Sequence, residues 1–260
     1  MPSLFFRRVV PILVAALCLV SLLAGCAATT APGALPEVPA RHTIQEFRDD
    51  EAIAVIEDPW ERFNRGMYNF NYRLDKYVMV PVVKGYEFIV PTLAQKGISN
   101  VFSNIGELRT LYNSVFQLQG KKFVITLGRF LANSTLGVGG LFDAATPMGL
   151  KRKHGDFGQT LGRWNVNAGP YLILPVLGPS TVRGTGGLAV DAGIRYAALY
   201  AIDPLGNVNH GEVILAGVSA LEAVDTRHRV PFRYYESGYP FEYDFLRFLY
   251  CKWDELLIMK

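Results

Sequence analysis

Residues 58–77 read Asp58-Pro59-Trp60-Glu61-Arg62-Phe63-Asn64-Arg65-Gly66-Met67-Tyr68-Asn69-Phe70-Asn71-Tyr72-Arg73-Leu74-Asp75-Lys76-Tyr77. Phe63, Met67, Phe70, Leu74 and Tyr77 recur at intervals of four, three, four and three. At 100° per residue they fall within about 80° of arc, one apolar stripe on an α-helix. Asp58 suits the N-cap and Pro59 the first helical position. Tyr68 and Tyr72 lie nearly opposite the stripe. They belong either to a second packing surface or to a belt of rings at lipid headgroups, as membrane-interface candidates.

Helical spacing continues outward from this stretch. Leu108, Leu111, Tyr112, Val115 and Phe116 make one face; Phe123, Leu127, Phe130 and Leu131 make another after the break at Gly120. Residues 184–200, 212–224 and 241–259 also read as helices, and Pro81 and Pro91 punctuate the chain. Strand-like alternation is scarce. Leu172-Ile173-Leu174 is the best candidate, bounded by Pro170 and Pro175 too tightly for a central strand. The expectation is an all-α protein with a Gly/Pro-rich apolar middle segment.

The N-terminus reads as an export signal. Arg7 and Arg8 precede an apolar run from Val9 to Ala24, shorter than the roughly 20 residues a membrane span needs. The run ends in Leu23-Ala24-Gly25-Cys26, which resembles the lipobox of bacterial lipoproteins. That resemblance implies cleavage before Cys26 and a diacylglycerol and N-acyl chain attached to it, with no other cofactor. Residues 1–25 are then the signal peptide, 26–57 the lipid anchor and flexible tether, and 58–260 the folded domain. By resemblance to Gram-negative lipoprotein sorting, in which an Asp after the cysteine favours inner-membrane retention, Ala27 implies the outer membrane.

Composition narrows the function. Of 260 residues half are hydrophobic, 12% aromatic and 19% charged, with 26 Lys+Arg against 23 Asp+Glu. Such a chain is not disordered, and it has no cationic excess for nucleic acid. His42, His154, His210 and His228 stand without a second ligand at metal spacing. Gly217-Val-Ser-Ala-Leu221 lacks the second glycine of a nucleophile elbow. Gly137–Gly140 and Gly184–Gly187 lack a P-loop lysine. Asp143 and Asp156 read as caps of turns and short helices. No catalytic or metal set emerges, so the chain is read as a non-enzyme.

Residues 133–187 are rich in glycine and proline yet apolar, a backbone type tolerated where it packs on protein or lines a cavity. Asn133, Gly137, Gly139, Gly140 and Asp143 are channel or gate candidates within a hairpin over 133–149. Lys151-Arg152-Lys153 is either a solvated loop or a headgroup-contact cluster. At the C-terminal end Phe241, Tyr243, Phe245, Phe248, Tyr250 and Trp253 interleave with Arg247 and Lys252. A helix at a bilayer interface suits that mixture better than a core helix, with Phe245, Phe248 and Trp253 at headgroup level and the basic groups toward phosphate.

Taken in order, Asp58-Pro-Trp-Glu61-Arg-Phe63-Asn64-Arg65, Phe70-Asn71-Tyr-Arg-Leu74-Asp75, Gln119-Gly120-Lys121, Arg129 to Asp143, Asp156 to Gly162, Gly169 to Pro175, Gly178-Pro179-Ser180 and Asp225-Thr-Arg227 resemble the MlaA/VacJ lipoproteins. The resemblance covers residues 58–255. Asn165 and Asn167, where the family usually has glycine, and Gly184, where it has Asp, depart from the pattern. The resemblance implies a ring-like bundle of amphipathic helices in the inner leaflet of the outer membrane, beside a porin trimer. It implies removal of phospholipid from the outer leaflet and delivery to a soluble periplasmic carrier. A membrane-anchored lipid or cell-wall hydrolase, or a purely structural lipoprotein, are the competing classes.

Overall fold

A computed structural model describes residues 58–204, 206, 208–236 and 241–259. The signal peptide, Cys26 and the tether to residue 57 lie outside the described residues.

Helix α1 (Glu61–Leu74) starts two residues later than the Asp58-Pro59 pair suggests, with Trp60 at the N-cap position. Asp58 still organises the start, because its Oδ1 accepts the Trp60 N–H at 3.1 Å and the Asn64 side chain at 2.9 Å. The chain then widens into a π-helical turn, Asp75–Met79, and re-enters α2 (Val80–Ile89). Pro81 lies in the first turn of α2 and has no N–H for the turn before it, which suits a widened ladder there. Val90 is extended ahead of Pro91, as a residue before proline prefers, and α3 (Thr92–Phe116) follows.

Leu118, with φ +55°, turns the chain back into α4 (Gly120–Thr135). Asp156 caps α5 (Phe157–Arg163) by accepting the Gln159 N–H at 2.8 Å. The expected strand is one arm of an antiparallel hairpin, β1 (Tyr171–Leu174) against β2 (Gly178–Thr181), with Tyr171 opposite Thr181. Thr181 caps α6 (Val182–Ile202), and α7 (Gly211–Arg229) and α8 (Glu242–Met259) complete the described chain. The architecture is helical with one small hairpin.

Asparagines on α1 hold that hairpin. Asn64 donates to the Tyr171 carbonyl at 3.0 Å and accepts the Ile173 N–H at 2.8 Å. Asn71, two turns on, donates to the Leu174 carbonyl at 2.9 Å and accepts the Val176 N–H at 2.7 Å. Each side-chain amide stands in for a strand neighbour, satisfying backbone groups that are costly to bury unpaired. Around them Tyr68, Tyr171, Ile173 and Tyr243 form the apolar core, with Tyr68 and Tyr243 edge-to-face at 5.8 Å.

The helices show an inverted polarity. On α1 the buried residues are Asn64, Tyr68 and Asn71, while Phe63 and Phe70 are exposed. On α3 they are Gln95, Gly97, Asn104, Glu107, Thr110, Asn113 and Ser114, and on α4 Thr126, Arg129 and Asn133. Phe88, Leu93 and Leu118 are 84–92% exposed. Polar contacts therefore fill much of the interior beside the small aromatic core, and many large apolar side chains point away from it. Among the described residues no helix is long and apolar enough to cross a membrane.

Candidate functional site

The polar seam between α3 and α4 positions the glycine-rich loop. Glu107 and Arg129 meet there at 2.8 Å, both almost fully buried. Arg129 reaches past Glu107 into the loop, donating to Thr146 Oγ1 at 3.1 Å and to the Leu150 carbonyl, with Asp143 at 3.4 Å. Asp143 in turn accepts the Thr146 N–H at 3.1 Å, the turn-capping work expected of it; burial pushes its carboxyl up, but the hydrogen bonds from Thr146 and then Arg129 outweigh it and hold the group below the usual range. Asn133 accepts the Ala145 N–H at 2.9 Å, and its own carbonyl accepts the Gly140 N–H at 2.8 Å. An added Cβ at Gly137 would overlap the carbonyl oxygens of Phe142 and Asn133. The five channel candidates thus meet in one braced turn on the end of α4.

Of the three headgroup candidates, Lys151 and Lys153 are exposed. Arg152 instead turns inward, donating to Ser103 Oγ at 2.8 Å and to the Ser103 carbonyl at 3.1 Å. The surroundings are cationic. Desolvation first, and then Arg152 and Arg109, push His154 below its ordinary value. Desolvation and the charge of Arg163 bring Lys122 down to about 8.

The aromatic candidates divide. Phe245, Phe248 and Trp253 are exposed on α8. Tyr68 is not: it is 3% exposed and donates to Glu242, so its ring lies in the core and the packing reading replaces the headgroup one. Tyr72 is half-buried, edge-to-face with Tyr235 at 4.9 Å. Arg247, expected to face phosphate, is 5% exposed and lies between Asp244 at 3.0 Å and Asp58 at 3.5 Å. The helix offers rings outward and turns this cation inward, because the interior carboxylates pair with it.

A cavity of about 350 Å³ opens between α5, the hairpin, α6 and α8, with Arg109 of α3 at its wall. Asp156, Asp191 and Asp254 supply its charges, while Leu174, Leu188 and Trp253 are among its apolar and aromatic lining. Asp191 is tied to Tyr112 at 2.6 Å, to Asn113 at 3.1 Å and to the Phe157 N–H at 3.0 Å. A mixed wall of this kind accommodates a ligand with one charged and one apolar end.

The pattern of the MlaA lipoprotein family matches residues 56–256. This chain belongs to that family. A Rickettsia typhi protein is 34% identical over 189 residues, 72% of each chain. The Escherichia coli protein named intermembrane phospholipid transport system lipoprotein MlaA is 38% identical over 138 residues, 52% of this chain and 55% of that one. Its Haemophilus influenzae namesake is 34% identical over 152 residues, 57% and 60% of the two chains. A solved structure, described as the structural basis for maintenance of bacterial outer membrane lipid asymmetry, superposes with a TM-score of 0.59 at 31% identity, covering 78% of this chain and all of that one.

Within this MlaA-family fold, the sequence runs that carry the resemblance acquire physical jobs. Arg227 of the Asp225-Thr-Arg227 run forks onto Asp75, with Nη2 at 2.8 Å from Oδ2, tying α7 to the π-turn. Asp225 is fully buried and receives Arg229 at 3.0 Å and the Ser99 hydroxyl. Arg109, Asp191 and Asp254 went unnoticed as site residues in the sequence. A signal existed for Asp191, a lone carboxylate in the apolar run Leu188-Ala-Val-Asp191-Ala-Gly-Ile194.

Proposed function

We propose that this chain is a lipid-anchored outer-membrane protein that removes phospholipids mislocalised in the outer leaflet and hands them to a soluble periplasmic carrier, preserving lipid asymmetry. Acyl chains on Cys26 hold it to the inner leaflet, where its helices form a ring beside a porin trimer. The inverted polarity carries this reading. Helices that bury Asn, Thr, Glu and Arg and expose Phe, Leu and Val suit a surrounding of lipid tails around a polar interior. A phospholipid needs both environments at once, since a charged phosphate is prohibitively costly in hydrocarbon while its tails are at home there. The cavity at Arg109 offers such a pair of surfaces without covalent chemistry.

The names of the Escherichia coli and Haemophilus influenzae relatives support the same reading. The test is the phospholipid exposed on whole cells, measured by susceptibility to an added phospholipase, with and without the protein. Loss of the protein should raise outer-leaflet phospholipid, and re-expression should restore it. Unchanged surface phospholipid in both directions would reject the proposal.

A further inference from the structure

The charges in the cavity wall are unequal in how far they are already committed. Asp191 has both oxygens occupied, and it is 5% exposed. Asp156 receives the Gln159 N–H and the Gln159 side chain, each at 2.8 Å. Asp254 commits only Oδ2, to Arg183; its Oδ1 has no hydrogen bond among the described residues. Arg109 makes no ion pair among the described residues. Two groups of opposite sign thus remain for a ligand, one guanidinium and one carboxylate oxygen, in a cavity whose other lining includes Leu174, Leu257 and Trp253.

Resting on the lipid-transfer reading above, we infer that this cavity prefers zwitterionic, ammonium-bearing phospholipid headgroups, of the phosphoethanolamine class, over anionic ones such as phosphoglycerol. The phosphate pairs with Arg109 and the ammonium donates to Asp254 Oδ1, both charge-assisted contacts. An anionic headgroup can use only the first of these. It also meets Asp156 and Asp191, two carboxylates with no ion-pair partner among the described residues, beside an Asp254 that is paired to Arg183, and that like-charge opposition disfavours a second negative group. Burial and the nearby Asp156 hold Asp254 above the usual carboxylate range, and an arriving ammonium relieves that opposition.

Trp253 lines the same cavity and serves as a reporter. The full lipoprotein, with Trp60 and Trp164 replaced by Phe, is titrated in detergent with phosphatidylethanolamine or phosphatidylglycerol carrying bromine on the acyl chains. Half-maximal quenching should need roughly fivefold less of the ethanolamine lipid, the equivalent of about 1 kcal/mol. Asp254→Asn should bring that ratio close to one, and Arg109→Gln should weaken both lipids. Helical circular dichroism shows whether the Asp254 variant is folded, and the ratio in the protein with both aspartate and arginine intact decides the matter without it. Equal quenching by the two lipids overturns the selectivity while leaving lipid occupancy of the cavity intact. A folded Asp254→Asn protein that keeps the full preference also overturns it. Quenching by neither lipid overturns the lipid path through this cavity, and the selectivity with it.

Discussion

Glu107 on α3 and Arg129 on α4 form a buried ion pair 2.8 Å long, the carboxylate 1% and the guanidinium 3% exposed. The same arginine holds the turn that follows α4 through Thr146 and the Leu150 carbonyl. Glu107→Gln leaves a guanidinium in the interior with a poorer partner, a change that typically costs about 3–5 kcal/mol. Denaturant unfolding in detergent should show that loss. A change under about 1 kcal/mol would mean that Asp143, on the other side of Arg129, compensates the charge by itself.

Gly137, Gly139 and Gly140 are not equivalent. Gly139 has φ +69° and open space around it, so Gly139→Ala carries a left-handed strain of about 1–2 kcal/mol and nothing more. At Gly137 the added methyl group has nowhere to go between Phe142 and Asn133. At Gly140 it meets Asn104 at 2.9 Å, with φ already +93°. Proteolysis of the 136–150 turn should therefore increase sharply in Gly137→Ala and little in Gly139→Ala. The reverse order would show that the turn is free to move as a unit.

Lys122 titrates at about 8 in the folded chain against an ordinary 10.5, through desolvation and the charge of Arg163. The folded state thus releases this proton at lower pH than the unfolded state does. Below pH 8 both states carry it and the unfavourable burial is fully present. Between about 8 and 10.5 only the unfolded state still binds it, so stability rises with pH across that window. Lys122→Gln should flatten the rise. Acylation of Lys122 by an amine-directed reagent, followed by mass spectrometry, should show a midpoint near 8; a midpoint above 10 would contradict the environment described for it.

Phe245 and Phe248 are exposed on α8, whereas Tyr243 is 5% exposed on the same helix. Cysteines at 245, 248 and 243, in a chain lacking Cys251, should respond differently to an environment-sensitive label in vesicles. Lipid-borne bromine should quench the first two and spare the third. Equal protection of all three would assign the whole helix to the protein interior.

Cys26→Ser should abolish acylation, because the thiol is the acceptor of the diacylglycerol in the lipobox reading. Membrane fractionation is the measurement. Unchanged outer-membrane recovery of the variant would remove Cys26 from the anchor.

Much of the secondary structure was legible in residue spacing. The stripe at 63–77, the break at Gly120 and the runs beginning near 184, 212 and 241 all coincide with helices. Asp156 as a cap and Leu172–Leu174 as a strand were legible because the cap and the hairpin pairing involve neighbours within about ten residues. The hold of Asn64 and Asn71 on that strand was not legible. The Asp58 misplacement has a long-range cause. Asp58 also takes Tyr243 and Arg247 of α8, and those partners lie 185 and 189 positions away.

The amino-acid sequence by itself determined where the helices run and that most have two unlike faces. Only the tertiary structure decided which face is inside. Periodicity measures the contrast between faces, and its sign depends on what surrounds the molecule. Phe63 and Phe70 of the apolar stripe on α1, and Tyr77 in the π-turn beyond it, are exposed, while Asn64, Tyr68, Asn71 and Asp75 are buried. Many of the polar groups can take the interior because they find a partner on another segment, as Asn64 does in Tyr171 and Ile173, Arg227 in Asp75 and Arg129 in Glu107. Burial of an amide or a guanidinium is tolerable only when such a partner is in place, and whether it is in place depends on the fold.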